Sequence, residues 1–263
     1  MPQLGCGVFR VPDALADTTV STALQAGYRL IDTAASYGNE QGVGRAIRNA
    51  SVPRECLFVS TKLKNSDQGY DRTLRAFDRS LLNLGLETVD LYLIHWPAPQ
   101  RDLYLDSWRA LEQIQASGRA SAIGVCNFTA GHLQRLSEHS DVVPAVNQVE
   151  LHPGYVQREL RAVHEVRGIV TEAWSPLGRG EALLDRPDVQ DIARSSGRTA
   201  AQIVLRWHLD EGHVVIPKSA HPDRLRSNLD VFDFALTDGQ RLVLSNLPGP
   251  ARVGPDPETF DEH

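Results

Sequence analysis

Short apolar runs alternate with longer segments whose apolar residues recur every three or four positions, almost from the first residue. The short runs lie at residues 4–8, 28–31, 57–60, 89–94, 120–125, 143–149, 169–173 and 214–217, and their length and β-branched content predict buried strands. The longer segments predict amphipathic helices, as in Leu74/Phe77/Leu81/Leu84 and Trp108/Leu111/Ile114. Gly27, Gly85, Gly118, Gly168 and Gly212 fall just before or near a strand, where helix C-caps are expected. Strand alternating with helix argues a parallel sheet. Eight such units within 263 residues predict an α/β protein built as a single (β/α)8 TIM barrel. No linker interrupts the pattern before the Pro-rich stretch 247–263. Residues 1–263 are therefore expected to form one domain, with 247–263 a C-terminal loop, tail or ordered lid.

Composition narrows the function classes. The chain is 41% hydrophobic and 23% charged, as soluble globular proteins are, with a net charge of −6. Basic residues are interspersed with acidic ones, which argues against nucleic acid or an anionic membrane as partner. No apolar stretch is long enough to span a bilayer and no leader pattern opens the chain, so a cytoplasmic protein is expected. The three cysteines, Cys6, Cys56 and Cys126, have no CxxC spacing and read as reduced thiols. Asn49-Ala50-Ser51 and Asn127-Phe128-Thr129 match the glycosylation sequon by chance on that reading. HExxH and P-loop patterns are absent, so no metal is expected. Gly42-Val43-Gly44 lacks the third glycine and the preceding strand of a dinucleotide fingerprint.

A barrel of this kind carries its chemistry where the strands end. Asp32 and Tyr37 follow the second expected strand, Lys62 the third, and His95 and Trp96 the fourth. Cys126 and Asn127 follow the fifth, Gln148 and Glu150 the sixth, Trp174 and Ser175 the seventh, Lys218 and Ser219 the eighth. Singly, Asp32 reads as a turn cap, His95 as a satisfied core histidine, and the tryptophans as packing. Their coincidence at one barrel mouth points to carbonyl chemistry. A tyrosine of ordinary pKa ~10 is a poor acid near neutrality until a cation stabilises its phenolate. A buried lysine supplies that cation, a carboxylate holds the lysine, and a neutral histidine donates to a substrate oxygen.

The segments "GYRLIDTAASYGNE", "VSTKL", "VDLYLIHWP", "IGVCNF", "VNQVELHP", "AWSPLG" and "IPKSAHPDRLRSNLDVFDFALT" together resemble the aldo-keto reductases. The likeness is greatest to the bacterial branch containing 2,5-diketo-D-gluconate reductases, and it runs from about residue 3 to residue 238 in the family's order. Seven motifs in order make it specific. The resemblance implies an NADPH-dependent oxidoreductase acting on CH–OH donors with NADP as acceptor, or reducing aldehydes and ketones, keto acids and keto-sugar acids among them. It implies catalytic residues at Asp32, Tyr37, Lys62 and His95, with Tyr37 the general acid. For the cofactor it implies Cys126, Asn127 and Gln148 at the nicotinamide carboxamide and Trp174 stacked on the ring. Ser175, Leu177 and Gly178 would lie along the pyrophosphate, Lys218, Ser219 and Arg224 on the 2′-phosphate, and Asn228 on the adenine. Cys126 stands where the family commonly has serine, and Ser227 replaces a frequent glutamate. Phe9, Ser36, Lys64, His95 and Trp96 would face the substrate, with Lys64 either on the pocket wall or solvated at the rim. The resemblance also implies a monomer. Relatives usually begin with a short β-hairpin that plugs the barrel's bottom, whereas here the first barrel strand is expected at once, so either the start is shortened or the bottom is expected to be closed differently, for example by the tail. A second reading stays open, a non-catalytic NADPH-binding regulatory or structural barrel.

Overall fold

The computed structural model describes residues 1–249 and 252–261, so residues 250, 251, 262 and 263 of the expected tail lie outside the described residues. Eight parallel strands form one sheet in sequence order. They are β1 (Cys6–Gly7), β2 (Leu30–Asp32), β3 (Phe58–Leu63), β4 (Val89–Ile94), β5 (Ala120–Cys126), β6 (Val146–Glu150), β7 (Val170–Trp174) and β8 (Val214–Val215). The sheet closes on itself through the amide of Gly5, which donates to the Val215 carbonyl (2.8 Å), and that of Val215, which donates to Gln3 (2.9 Å). The wall thus begins at the first few residues, with Leu4 bridged to Val215.

Strand positions agree with the apolar runs, but the upper ends do not. Lys62 lies inside β3, Asp32 closes β2, and Glu150 belongs to β6 rather than to a loop after it. Polar residues look like strand terminators in a sequence, yet in a barrel every second side chain points into a lumen. Here the upper lumen is polar. The lower lumen holds two small apolar clusters, Leu91, Leu93, Cys126 and Val146 in one, and Leu30, Val214 and Ile216 in the other. Phe58 packs against both.

The larger core lies outside, between strands and helices. Helix Tyr70–Leu84 buries Phe77, Leu81 and Leu84, and helix Tyr104–Ala116 buries Trp108, Leu111 and Ile114. Gly44 explains the incomplete glycine motif as packing. A Cβ there would stand 2.1 Å from the Leu84 carbonyl oxygen, so helix Glu40–Arg48 needs glycine to lie so close. Among the described residues, no helix is long and apolar enough to cross a membrane, and no group of three or more His, Cys, Asp or Glu could hold a metal ion.

Buried histidines make this shell acid-sensitive. His164 bonds Asn147 Nδ2 (2.9 Å) and Thr171 Oγ1 (2.8 Å) with its two ring nitrogens. Burial, with Arg161 second, lowers its pKa to about 4. The unfolded chain takes up a proton below its ordinary value of ~6.5 while the folded one does not, so stability falls as pH drops from there toward about 4. The full loss from this group is on the order of 3 kcal/mol. Urea midpoints recorded across that window should drop steeply for the natural protein and less steeply for His164→Gln. Parallel slopes would remove His164 from the account.

Candidate active site

Asp32 and Lys62 face each other across adjoining strands, where the register sets Asp32 opposite Ser60. Lys62 Nζ donates to both Asp32 oxygens (2.7 and 2.6 Å) and to the Thr33 carbonyl (2.9 Å), and both side chains are buried. Ser60 Oγ (2.8 Å) and Gln148 Nε2 (3.1 Å) also donate to Asp32 Oδ1. Burial alone would lower the lysine's pKa, but the adjoining carboxylate raises it above the ordinary value. The ammonium is therefore permanent at neutral pH.

Tyr37 sits on a short 3-10 turn, Ala35–Tyr37, closed by Gly38 at φ 66°. Asn39, fully buried, ties this turn to the chain after β1: Nδ2 donates to the Val8 (2.9 Å) and Val11 (2.8 Å) carbonyls, and Oδ1 accepts from Thr33. The phenol ring packs 5.1 Å from Phe9 and 5.6 Å from His95, with Lys62 Nζ 5.1 Å from its centroid. Burial pushes the phenol's pKa up, and Lys62 pulls it down against that push. His95 is driven the other way: burial, then Lys62, hold it well below its ordinary value, so the ring is neutral. Its Nδ1 lies 3.2 Å from Ser36 Oγ.

Asp32, Tyr37 and His95 open onto a cavity of about 380 Å³ at the barrel mouth, with Lys62 buried beneath it. Phe9, Asp32, Ser36, Tyr37, His95 and Trp96 face it, as do Asn127, Gln148, Trp174, Ser175 and Lys218. Of the anticipated substrate residues, Lys64 alone is not among the lining side chains. Cys126 also departs from expectation. Its thiol is buried with Leu91, Leu93 and Val146, below the cavity, because inward-pointing β5 residues enter the lumen. Leu177 and Gly178 shape the loop after β7 without lining the cavity, and Ser219 Oγ accepts from the His221 amide in its own turn (3.1 Å). Arg224 and the buried Asn228 stand on helix Pro222–Leu229, away from the cavity wall.

Three parts of the site are not among the residues expected from the sequence. Arg10 and Arg179 line the cavity, and with Asn127 and Ser175 they hold positive φ angles (59°, 61°, 63° and 47°), a concentration of strained backbone at the mouth. Pro255 and Phe260 line it from the C-terminal segment, which crosses the mouth and leaves the barrel's bottom uncovered by it. Buried Glu150 anchors that segment: its oxygens accept from the Val253 (2.6 Å) and Gly254 (2.8 Å) amides. Gly254 must be glycine there, since a Cβ would meet Trp174 at 2.3 Å. Thr129 Oγ1 holds Glu258 (2.8 Å), and Phe260 packs against Trp96 with ring centroids 4.4 Å apart and planes tilted by 53°. The third part is Glu172, bonded to Gln148. A carboxylate ending β6 is visible in the sequence, but its partners, far along the chain, are not.

A dinucleotide fits this arrangement. Lys218 and Arg224 are exposed and bonded to no acidic group among the described residues. Gln148 spends its Nε2 hydrogens on Asp32 and Glu172, leaving its amide oxygen for a ligand's NH2 group. Asn127 is oriented by Trp174 Nε1, which donates to Oδ1 (2.8 Å), and by donating to the His95 carbonyl (3.0 Å). Trp174 is half-buried at the cavity edge.

Comparison with known proteins agrees with this geometry. The model of the "Aldo/keto reductase family" matches residues 3–241. Methylglyoxal reductase DkgA of Escherichia coli is 48% identical over 99% of this chain and 94% of its own length. Morphine 6-dehydrogenase of Pseudomonas putida is 50% identical over 99% and 92%. Among solved structures, a point mutant of Gox0644 in complex with NADPH superposes with a TM-score of 0.95 at 44% identity, covering 100% of this chain and 95% of that one. With the family's model matched over nearly the whole barrel, and the buried ion pair, tyrosine and histidine gathered at its mouth, the chain is a member of the aldo/keto reductase family.

Proposed function

We propose that this protein reduces aldehydes and ketones to alcohols with NADPH, Tyr37 acting as general acid. The observation that carries the reading is the Asp32–Lys62 pair, fully buried beneath a tyrosine that stands beside a neutral histidine. NADPH, when bound, supplies a hydride to the carbonyl carbon. Tyr37 gives its hydroxyl proton to the carbonyl oxygen, and Lys62 stabilises the phenolate left behind. With Ser36 Oγ–H donating to Nδ1, His95 presents an N–H at Nε2 to the same oxygen and orients it. Asp32 keeps Lys62 charged and in place. Phe9, Trp96 and Phe260 provide apolar walls, and the C-terminal segment limits water at the mouth.

Asn127 and Gln148 hold the carboxamide, Trp174 the ring, Ser175, Leu177 and Gly178 the pyrophosphate, and Lys218, Ser219 and Arg224 the 2′-phosphate, with Asn228 at the adenine. Arg10 and Arg179, paired with no acidic group among the described residues, give the mouth a positive field, which favours keto acids and keto-sugar acids over neutral aldehydes. The two named relatives differ in substrate, which supports the reaction class more than any one carbonyl compound. Loss of nicotinamide absorbance on mixing the protein and NADPH with a panel of aldehydes and keto acids tests the reading. No turnover with any member would overturn it.

Cofactor choice follows from charge. Each charge-assisted contact contributes roughly 1.5–3 kcal/mol, so Arg224→Ala should weaken NADPH about tenfold or more. NADH, lacking the phosphate, should bind as before, as read by quenching of tryptophan fluorescence. Equal losses for both cofactors would assign Arg224 elsewhere.

A further inference from the structure

The closed lumen contains a carboxyl group that the mechanism above does not use. Glu172 points inward from the middle of β7, fully buried, two residues before Trp174 on the same face. Its Oε2 accepts from Gln148 Nε2 (2.9 Å), and its Oε1 has no hydrogen-bond partner among the described residues. Gln148 in turn lines the cavity above and donates its other amide hydrogen to Asp32. One amide therefore connects three levels: the cavity floor, the buried ion pair and this second carboxyl. A carboxyl group with one oxygen unpaired and buried is the arrangement of an acid that keeps its proton until a positive charge arrives nearby.

We propose that Glu172 is a positioning residue that tunes the charge beneath the nicotinamide, holding its proton under the neutral reduced ring and releasing it to solvent under the positive oxidised ring. The inference rests on the functional reading above, in which the ring stacks on Trp174 with its carboxamide on Gln148. Lys62 and Asp32 cancel one another, so an ionised Glu172 leaves this level at net −1 and attracts the oxidised ring, while a protonated one leaves it neutral.

The surroundings single out Glu172 in the neutral range. Facing it are Asp32 from β2, Lys62 from β3, Cys126 from β5 and the uncharged Gln148 from β6; apolar Val214 of β8 and Ile216 just past it complete that side of the lumen. Burial, then Asp32, raises its pKa to about 8, with Gln148 and Lys62 acting against them. Burial also lifts Cys126 and Tyr37 above their ordinary values and holds His95 below its own.

The test is the ratio of dissociation constants for NADP+ and NADPH, measured by fluorescence quenching across the pH range. Taking the ratio cancels titration of the shared 2′-phosphate. Between about pH 9 and about pH 6.5 the ratio should rise fivefold or more, the usual scale of coupling between two sites. In Glu172→Gln, which keeps an oxygen to accept from Gln148, it should stay flat. If that variant fails to fold, calorimetry of the natural protein in buffers of different ionisation enthalpy gives the same answer: the 2′-phosphate contributes equally to both cofactors, and NADP+ should release more protons near neutrality than NADPH does. A flat ratio in the natural protein, an unchanged slope in Glu172→Gln, or equal proton release for both cofactors overturns the inference and leaves the functional reading standing. Failure to bind either cofactor overturns both.

Discussion

Tyr37→Phe should fold, bind NADPH and lose nearly all turnover. The ring keeps its contacts with Phe9, His95 and the Lys62 ammonium, since only a hydroxyl is removed, so neither packing nor cofactor affinity should change appreciably. What disappears is the proton for the developing alkoxide. General acid catalysis commonly contributes ~10²–10⁴-fold, and the fall in kcat should be at least of that order. Water is a poor substitute in a mouth already narrowed by Pro255 and Phe260. Stopped-flow and steady-state rates with a keto acid, alongside a fluorescence titration with NADPH, check both halves. Near-normal turnover by a folded, NADPH-bound variant would show that the tyrosine is not the acid.

Lys62→Met should be damaging twice. First, Asp32 is left in the lumen with only Ser60 and Gln148 as donors, and breaking a buried pair from one side costs ~3–5 kcal/mol. The urea midpoint should fall accordingly, and Lys62→Met/Asp32→Asn should recover part of the loss by removing the stranded charge. Second, the phenol loses the one cation that offsets its burial, so its proton is given up less readily and the rate falls. Since both residues act on one proton, Tyr37→Phe/Lys62→Met should be hardly slower than the worse single variant. A Lys62→Met protein as stable as the natural one would contradict the first point, and multiplicative rate losses the second.

The barrel is legible in the sequence because its signal is repetitive. Val89–Ile94 matches its apolar run to the residue, and all eight strands lie within or beside the expected runs, since buried parallel strands read as continuous apolar stretches. Upper strand ends depart from expectation at Lys62 and Glu150, where local polarity conceals an inward-facing position. The glycines ending helices, such as Gly85 at φ 62°, are legible because an α-left cap requires no partner from elsewhere in the chain.

The site divides along the same line. Residue types and their order, Asp32, Tyr37, Lys62, His95, Asn127 and Gln148 each at a strand's end, were determined by the sequence, because a barrel turns such spacing into a ring. Tertiary structure alone decided what each side chain touches: that Lys62 spans both oxygens of Asp32, that Trp174 orients Asn127, and that Cys126 and Lys64 do not line the cavity. It alone brought the chain's end to Glu150, whose two oxygens meet amides more than a hundred positions away. Hydrophobic periodicity is a local property and survives in one dimension. Hydrogen-bond geometry, burial of a carboxyl such as Glu172, and the resulting charge states depend on groups remote in the chain, and exist only once the lumen has closed.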